Sequence, residues 1–326
     1  MNLRQLRYFC QIVDSGYSIS AAARALYTSQ PGISRQVALL EATLGTPVFT
    51  RRGHRITGMT ETGSQVLHVA RRMLSDARSL QRISEGYSPE DSGRFVVGTT
   101  HTHARYVLPG VIRRFTRRYP KVQLVMRQEN ESRVAEMVSR GEADLGVTAQ
   151  PREAHGELVG LPCYRLPRSV VTPPGHALLR GGPLTLARIA RHPIITLDAS
   201  FAGGHKVLQD FAAAGITPQI AMSAIDADVI KAYVAVGLGV AILPTVAYVA
   251  QRDRDVRARD AHDLFQPTVA CVQLRRGDYL PQYMTEFIQL LAPEWHRRAL
   301  EDATSTGVVR ARAVPALLHE PVLVET

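Results

Sequence analysis

Two polar clusters in this 326-residue chain have types and spacing that suggest chemistry, and neither suggests bond breaking. The first is Ser29, Gln30, Pro31, Ser34 and Arg35: two hydroxyls, an amide and a guanidinium, which donate and accept hydrogen bonds at a surface. The second is Thr99-Thr100-His101-Thr102-His103. Hydroxyls and free backbone N–H groups at a helix start suit a carboxylate or a sulfate-like anion. The same residues could instead form a turn that caps its own helix. His101 and His103 form an i, i+2 pair with no acidic or Cys partner nearby, so no metal site is expected. The sequence has no G-x-S-x-G, no G-x-x-x-x-G-K and no G-x-G-x-x-G after a strand. Gly237-Leu238-Gly239 precedes a strand and reads as a turn. No enzyme and no cofactor is expected.

The first cluster must be held by a helix. Ile33, Val37, Leu40 and Leu44 recur at i, i+4, i+7 and i+11, which stacks one apolar stripe along a 3.6-residue period. On that wheel Pro31, Arg35 and Ala38 fall roughly 140–200° from Ile33, with Gln30 and Ser34 on the flank. Ser29 or Thr28 can cap the helix and Pro31 fits its first turn. Before it, Ile19, Ala22, Ala23 and Leu26 predict a short helix whose small residues permit a close crossing, and Leu3, Leu6, Cys10 and Val13 predict a bracing helix. Gly45 stops the second helix of the pair. VFTR and RITG then predict a hairpin around Arg52-Gly53-His54, which places Arg51 and Arg52 beside any polyanion that the helix meets. Amphipathic helix pairs are common, but a pair followed at once by a basic hairpin is the layout of a winged helix-turn-helix, whose second helix lies in the DNA major groove.

From about Thr60 to Glu85 the pattern predicts one long helix with Val66, Ala70, Met73, Ala77 and Leu80 on a heptad seam. Such a stripe wants a partner helix or the surface of its own domain, and dimerisation is the reading adopted. Arg71, Arg72, Arg78 and Arg82 lie off the seam. Residues 1–87 hold eleven arginines against five acids, so much of the formal net charge of +10 sits in the first quarter of the chain and favours a polyanionic partner. A hydrophobic content of 45% and a charged content of 21% are those of an ordinary globular protein. Cys10, Cys163 and Cys271 are widely spaced and odd in number, which fits buried thiols in a reducing cytoplasm. The N-terminus runs straight into an amphipathic helix, and the apolar run Val229–Ala250 is interrupted by Lys231, Gly237, Gly239 and Pro244, so no membrane span is expected.

Tyr87–Gly93 reads as a linker. Beyond it, strands and helices alternate: FVVGTT, a helix within Tyr106–Tyr119, VQLVMR, a helix Arg133–Arg140 and DLGVTA. Then come SVVTP, IITLD, a helix after Gly203-Gly204, QIAMSA, a helix Asp226–Val236 and VAIL. TVACVQL and a helix around Tyr283–Leu291 complete the series. Such alternation implies parallel sheets flanked by helices, and two lobes of this kind enclose a cleft. The expected organisation is a winged helix-turn-helix over 1–59, a dimerisation helix over 60–87, and a two-lobed α/β part over 93–300. Its first lobe would span about 93–162 and 266–300 and its second about 163–265. Residues 301–326 show little periodicity and are expected to form a flexible tail.

LRQLRYF, AAARALYTSQPGISRQVALLEATLGTPVF and TETG resemble the N-terminal domain of the LysR-type bacterial transcriptional regulators. TTHTHARYVLP, FTRRYPKVQL, LPCYR, DADVIKAYVAVGLGV, DAHDLF and YMTEFIQ are similar to the CysB-like branch, which serves cysteine and sulfonate metabolism. The resemblance implies an effector part of two Rossmann-like lobes like those of type II periplasmic binding proteins, with a sulfate-like or acetylserine-like anion between them. Ser29, Gln30, Pro31, Ser34, Arg35, Arg51 and Arg52 would meet DNA. Thr100, Thr102, His103, Gln128, Ala149 and Ala202 would line the effector site. Three of these depart from the branch, because His103 stands for a glutamine and Ala149 and Ala202 stand for threonines. Roughly three neutral hydrogen bonds of about 0.5–1.5 kcal/mol each would be lost, for which a protonated His103 could partly compensate by charge. The implied partners are double-stranded promoter DNA, the anionic effector, further copies of the chain as dimer and tetramer, and RNA polymerase. A regulator of this fold without effector control is the alternative.

Overall fold

The structure is a computed structural model that describes residues 1–53, 55–85, 93–149, 157–309 and 314–317. The hairpin's His54, linker residues 87–92 and tail residues 318–326 lie outside the described residues, as do the side chains of Arg78 and Arg82. The chain divides into two compact units, Met1–Ser88 with Arg140–Glu142 and Pro89–Ser139 with Ala143–Thr326.

The N-terminal unit contains α1 (Leu3–Asp14), α2 (Ile19–Ala25), α3 (Gln30–Leu44), the hairpin β1 (Phe49–Arg52) and β2 (Arg55–Met59), and α4 (Glu61–Glu85). Asn2 and Gln5 cap α1 reciprocally, and the Ser18 and Ser29 hydroxyls accept the N–H groups of Ala21 and Gly32 to start α2 and α3. Gly45 ends α3 at φ 71°, a left-handed conformation that costs glycine least. Leu6, Phe9, Ile12, Ile33, Val37, Leu40, Val48 and Phe49 form one core, but Leu3, placed on the α1 stripe by its spacing, is exposed at the helix start. The seam expected along α4 is also divided. Leu67 and Ala70 are buried against this core with Val66 and Leu74 beside them, and Arg71 pairs with Asp14 of α1. Among the described side chains of α4, Val69, Met73 and Leu80 are the exposed large apolar ones. The first half of the stripe is therefore covered by its own domain, because α1 lies against it.

The second unit opens with β3 (Gly93–Thr99), α5 (His101–Tyr106), α6 (Leu108–Arg118), β4 (Val122–Gln128), α7 (Glu131–Ser139) and β5 (Leu145–Ala149). It continues with β6 (Leu158–Leu166), β7 (Arg168–Thr172), α8 (Leu186–Ile189), β8 (Ile194–Leu197), α9 (Ala202–Ala213), β9 (Ile220–Ala224), α10 (Ala227–Ala235) and β10 (Val240–Pro244). The last elements are β11 (Arg257–Asp260), β12 (Thr268–Arg275), α11 (Gln282–Leu291) and α12 (Arg297–Thr306). Two five-stranded sheets result, ordered β4-β3-β5-β12-β6 and β11-β7-β10-β8-β9. Each is mixed rather than purely parallel: β12 runs antiparallel to β5 and β6, and β7 antiparallel to β10 and β11. Phe95, Phe115 and Phe287 stack with centroid separations of 5.2–5.7 Å at the centre of the first sheet's core.

Two expected boundaries move. LPCYR belongs to β6, which stays in the first sheet to Leu166, so the chain crosses between lobes at Pro167 rather than after residue 162. The tail expected from residue 301 is ordered helix as far as Thr306, with Leu300 and Ala303 buried in the core and Trp295 Nε1 donating to the Pro162 carbonyl at 2.8 Å. Residues 314–317 lie along the edge of β6, where Arg165 N–H donates to Pro315 and Leu317 N–H to Arg165. Short apolar contacts spread over two turns carry too little periodicity to be read in sequence. If α12 is part of the core, Leu300→Ala should cost about 2–5 kcal/mol. A urea midpoint equal to that of the parent chain would show the helix to be dispensable.

Candidate DNA-reading helix and effector cleft

Helix α3 sorts its side chains as the wheel requires. Ile33, Val37 and Leu40 are buried, while Ser29, Gln30, Pro31, Ser34, Arg35 and Ala38 are exposed. The Ser20 hydroxyl on α2 donates to Gln30 Oε1 at 3.1 Å, which leaves the amide's donor end for an outside partner. The wing arginines are unequal. Arg51 pairs with Glu41 Oε2 at 2.8 Å, and Glu41 Oε1 also accepts the Val48 and Phe49 N–H groups, so Arg51 is bound into the joint between α3 and the hairpin. Arg52 and Arg55 are exposed.

In the second unit, the end of β3 and the start of α5 face the ends of β7, β8 and β10 across a narrow cavity of about 30 Å³, room for one or two water molecules. Thr100, Thr102, His103 and Ala149 line it from the first lobe, together with Glu131. Gln128 does not. It lies exposed at the end of edge strand β4, where the pleat turns it away. Ala202 is the first residue of α9 and reaches the site only through its neighbours Phe201 and Gly203; its N–H donates to Glu131 Oε1 at 3.2 Å.

His103 cannot supply the positive charge expected of it. The imidazole is buried beside Tyr164, with Nδ1 2.8 Å from the phenol oxygen, and burial holds its pKa down at about 4. It is neutral at pH 7. The cation of the cleft is Arg168, the first residue of β7, which sequence reading missed because a lone arginine before SVVTP looks like any surface arginine. Its side chain is fully buried. Nη2 donates to the Gly203 carbonyl and to Thr268 Oγ1, both at 3.2 Å, while Nε and Nη1 have no hydrogen-bond partner among the described residues. A Cβ on Gly203 would stand 3.3 Å from Nη2, so glycine there gives the guanidinium its place. Burial lowers its pKa to about 10, and Asp210 acts against that shift. Arg168 therefore stays charged at neutral pH.

His101, Asp226 and Asp228 bring three potential ligand atoms within 4.8 Å of one another. Asp228 already accepts from the Tyr106 hydroxyl at 2.6 Å and pairs with Lys231 at 2.9 Å and Arg105 at 3.0 Å. Burial opposes its ionisation, but these partners outweigh it and hold the carboxyl well below the usual carboxylate range. The cluster is an ion-pair network joining α5 to α10. All three cysteines are buried, and burial pushes the Cys271 thiol up to about 12, which disfavours redox sensing by its thiolate. No described helix is long and apolar enough to cross a membrane.

The His103 shift gives a signed prediction. Between about pH 4 and 6.5 the unfolded chain binds a proton that the folded one refuses, so stability is full above pH 6.5 and falls as pH drops toward 4, by about 3 kcal/mol in all. His103→Gln should remove that part of the acid sensitivity. Parallel stability-against-pH curves for parent and variant across this window would contradict the assignment.

Residues 3–64 match the family described as bacterial regulatory helix-turn-helix protein, lysR family, and residues 88–295 match the LysR substrate binding domain. The chain is 42% identical over 310 residues to the HTH-type transcriptional regulator SsuR of Burkholderia cenocepacia, covering 95% of this chain and 99% of that one. It is 41% identical over 303 residues to the regulator CysB of the same organism, covering 93% and 97%. Among solved structures, the cofactor-binding domain of the Cbl transcriptional regulator matches with a TM-score of 0.63 at 33% identity, covering 66% of this chain and 95% of that one.

Proposed function

This chain belongs to the LysR family of DNA-binding transcriptional regulators, and from that premise we propose that it governs genes of sulfur metabolism in response to a small anionic metabolite held at Thr100 and Thr102. The observation that carries the DNA half is the partition of α3, whose apolar stripe is sealed into the core while Gln30, Ser34 and Arg35 stand in solvent. Arg35 suits a guanine edge, Gln30 offers its amide donor, and the exposed Arg52 supplies phosphate or minor-groove affinity. Arg51 acts mainly on the joint that orients the hairpin. Support for the sulfur assignment comes from the near full-length likeness to SsuR and CysB and from the TTHT segment facing the cleft.

The reading includes pairing of two chains through the second half of α4, where Met73 and Leu80 are exposed, assembly to a tetramer, and contact of the promoter-bound assembly with RNA polymerase. Two recognition helices would then address half-sites one DNA turn, or a multiple of it, apart. A cavity of about 30 Å³ is too small for an acetylated amino acid, so effector entry requires the lobes to part about the crossings at Pro167 and residues 261–267. The effector would then shift an equilibrium between two assemblies.

Arg35→Ala should lower discrimination between the operator and a scrambled duplex by about 1–3 kcal/mol in fluorescence anisotropy titrations. Unchanged preference would reject the role given to α3. Arg52→Ala should instead weaken binding to both duplexes and flatten the slope of log K against log salt by about 0.9. A slope equal to the parent's would take the wing off the DNA.

A further inference from the structure

Lys231 pairs with Asp228 and Asp253 and donates to the Ala247 carbonyl, and Glu131, which lines the cavity, accepts the Ala202 N–H on Oε1. Arg168 is different. Its guanidinium has no exposed surface, its two hydrogen bonds go to neutral oxygens, and two of its three nitrogens point at no acceptor while the side chain lines the cavity. Desolvated cations persist in proteins when paired, because an unpaired one loses its hydration and gains nothing in return. The first turn of α9 adds to the imbalance, since a helix N-terminus carries positive partial charge and Gly203 of that turn touches the guanidinium.

Among the described residues no carboxylate hydrogen-bonds the guanidinium, although Glu131 lines the same cavity and Asp210 acts on it through space, and a ligand can bring a directly paired counter-charge. We propose that Arg168 is the residue that reads ligand charge, taking a carboxylate, sulfate or sulfonate group on Nε and Nη1, while Thr100 and Thr102 read the neutral remainder of the ligand. This rests on the reading of the cleft as the effector site. It explains how a site with alanine at 149 and a neutral His103 selects an anion: one charge-assisted contact replaces several neutral ones. It also requires that uncharged analogues of the effector be refused, because they would leave the guanidinium buried and unanswered.

The test uses the full chain with sulfate, O-acetylserine, N-acetylserine and the uncharged N-acetylserinamide, followed by calorimetry and thermal melting. The parent protein is expected to bind at least one of the anions and to bind N-acetylserinamide at least tenfold more weakly than N-acetylserine. Arg168→Met, which fills the space without charge, should lose at least tenfold in anion affinity yet melt no lower than the parent without ligand; a purely structural arginine would melt lower. Arg168→Lys, which keeps the charge, should retain part of the affinity. If the parent binds anions and Arg168→Met binds them equally well, the charge-reading role is overturned and the effector cleft stands. Equal binding of N-acetylserinamide and N-acetylserine by the parent overturns it without any variant, including the case in which Arg168→Met fails to fold. If the parent binds none of the anions, the effector reading fails and this inference with it.

Discussion

Ile33, Val37 and Leu40 have almost no exposed surface, and the orientation of every outward group on α3 follows from that burial. The helix turns 100° per residue, so fixing three positions against Leu6, Phe9 and Ile12 leaves no freedom in where Gln30, Ser34 and Arg35 point. Recognition of a rigid partner needs that rigidity, since side chains aimed at base edges must already be in place when the duplex arrives. The hairpin is fastened by the same logic: Glu41 on α3 takes two strand N–H groups and Arg51, tying the wing to the helix it serves.

The second unit solves the opposite problem. A ligand there must enter and leave, and polar groups stand at strand ends facing a gap instead of on a finished surface. Thr100 and Thr102 follow β3, Arg168 opens β7, and Gly203 begins the helix after β8. The apolar layers behind them hold each group still: the Phe95, Phe115 and Phe287 stack lies behind β3, and Val170, Ile194 and Phe211 lie behind β7 and β8. Neutral His103 and charged Arg168 illustrate how burial treats two bases differently. An imidazole near neutrality releases its proton when desolvated, whereas a guanidinium starts so far above physiological pH that a comparable penalty leaves it charged.

Much of this architecture was legible before any coordinates. The period of α3, its serine cap and its glycine stop belong to neighbouring residues, and local backbone rules act on neighbours. The alternation that gave β3, β4, β5, β8, β9, β10 and β12 is equally local, as is the Asp226 cap of α10. What the sequence concealed depends on residues distant in the chain. The continuation of β6 to Leu166 is decided by pairing with β12 a hundred residues later, and the docking of α12 by a pocket around Trp295 and Pro162. The α4 stripe was visible as a stripe, but which half was covered depended on where α1 ended up.

Chemistry divides along the same line. Residue types and their order determined that the chain would present a polar, arginine-bearing helix and a hydroxyl-rich turn, because those features are written in consecutive residues. Tertiary structure alone decided the state of each charge, since a pKa depends on solvent and neighbours brought together from across the chain. It withdrew the proton from His103, bound Arg51 to Glu41, set Gln128 outside the cleft, and buried Arg168 between Gly203 and Thr268, thirty-five and a hundred residues away.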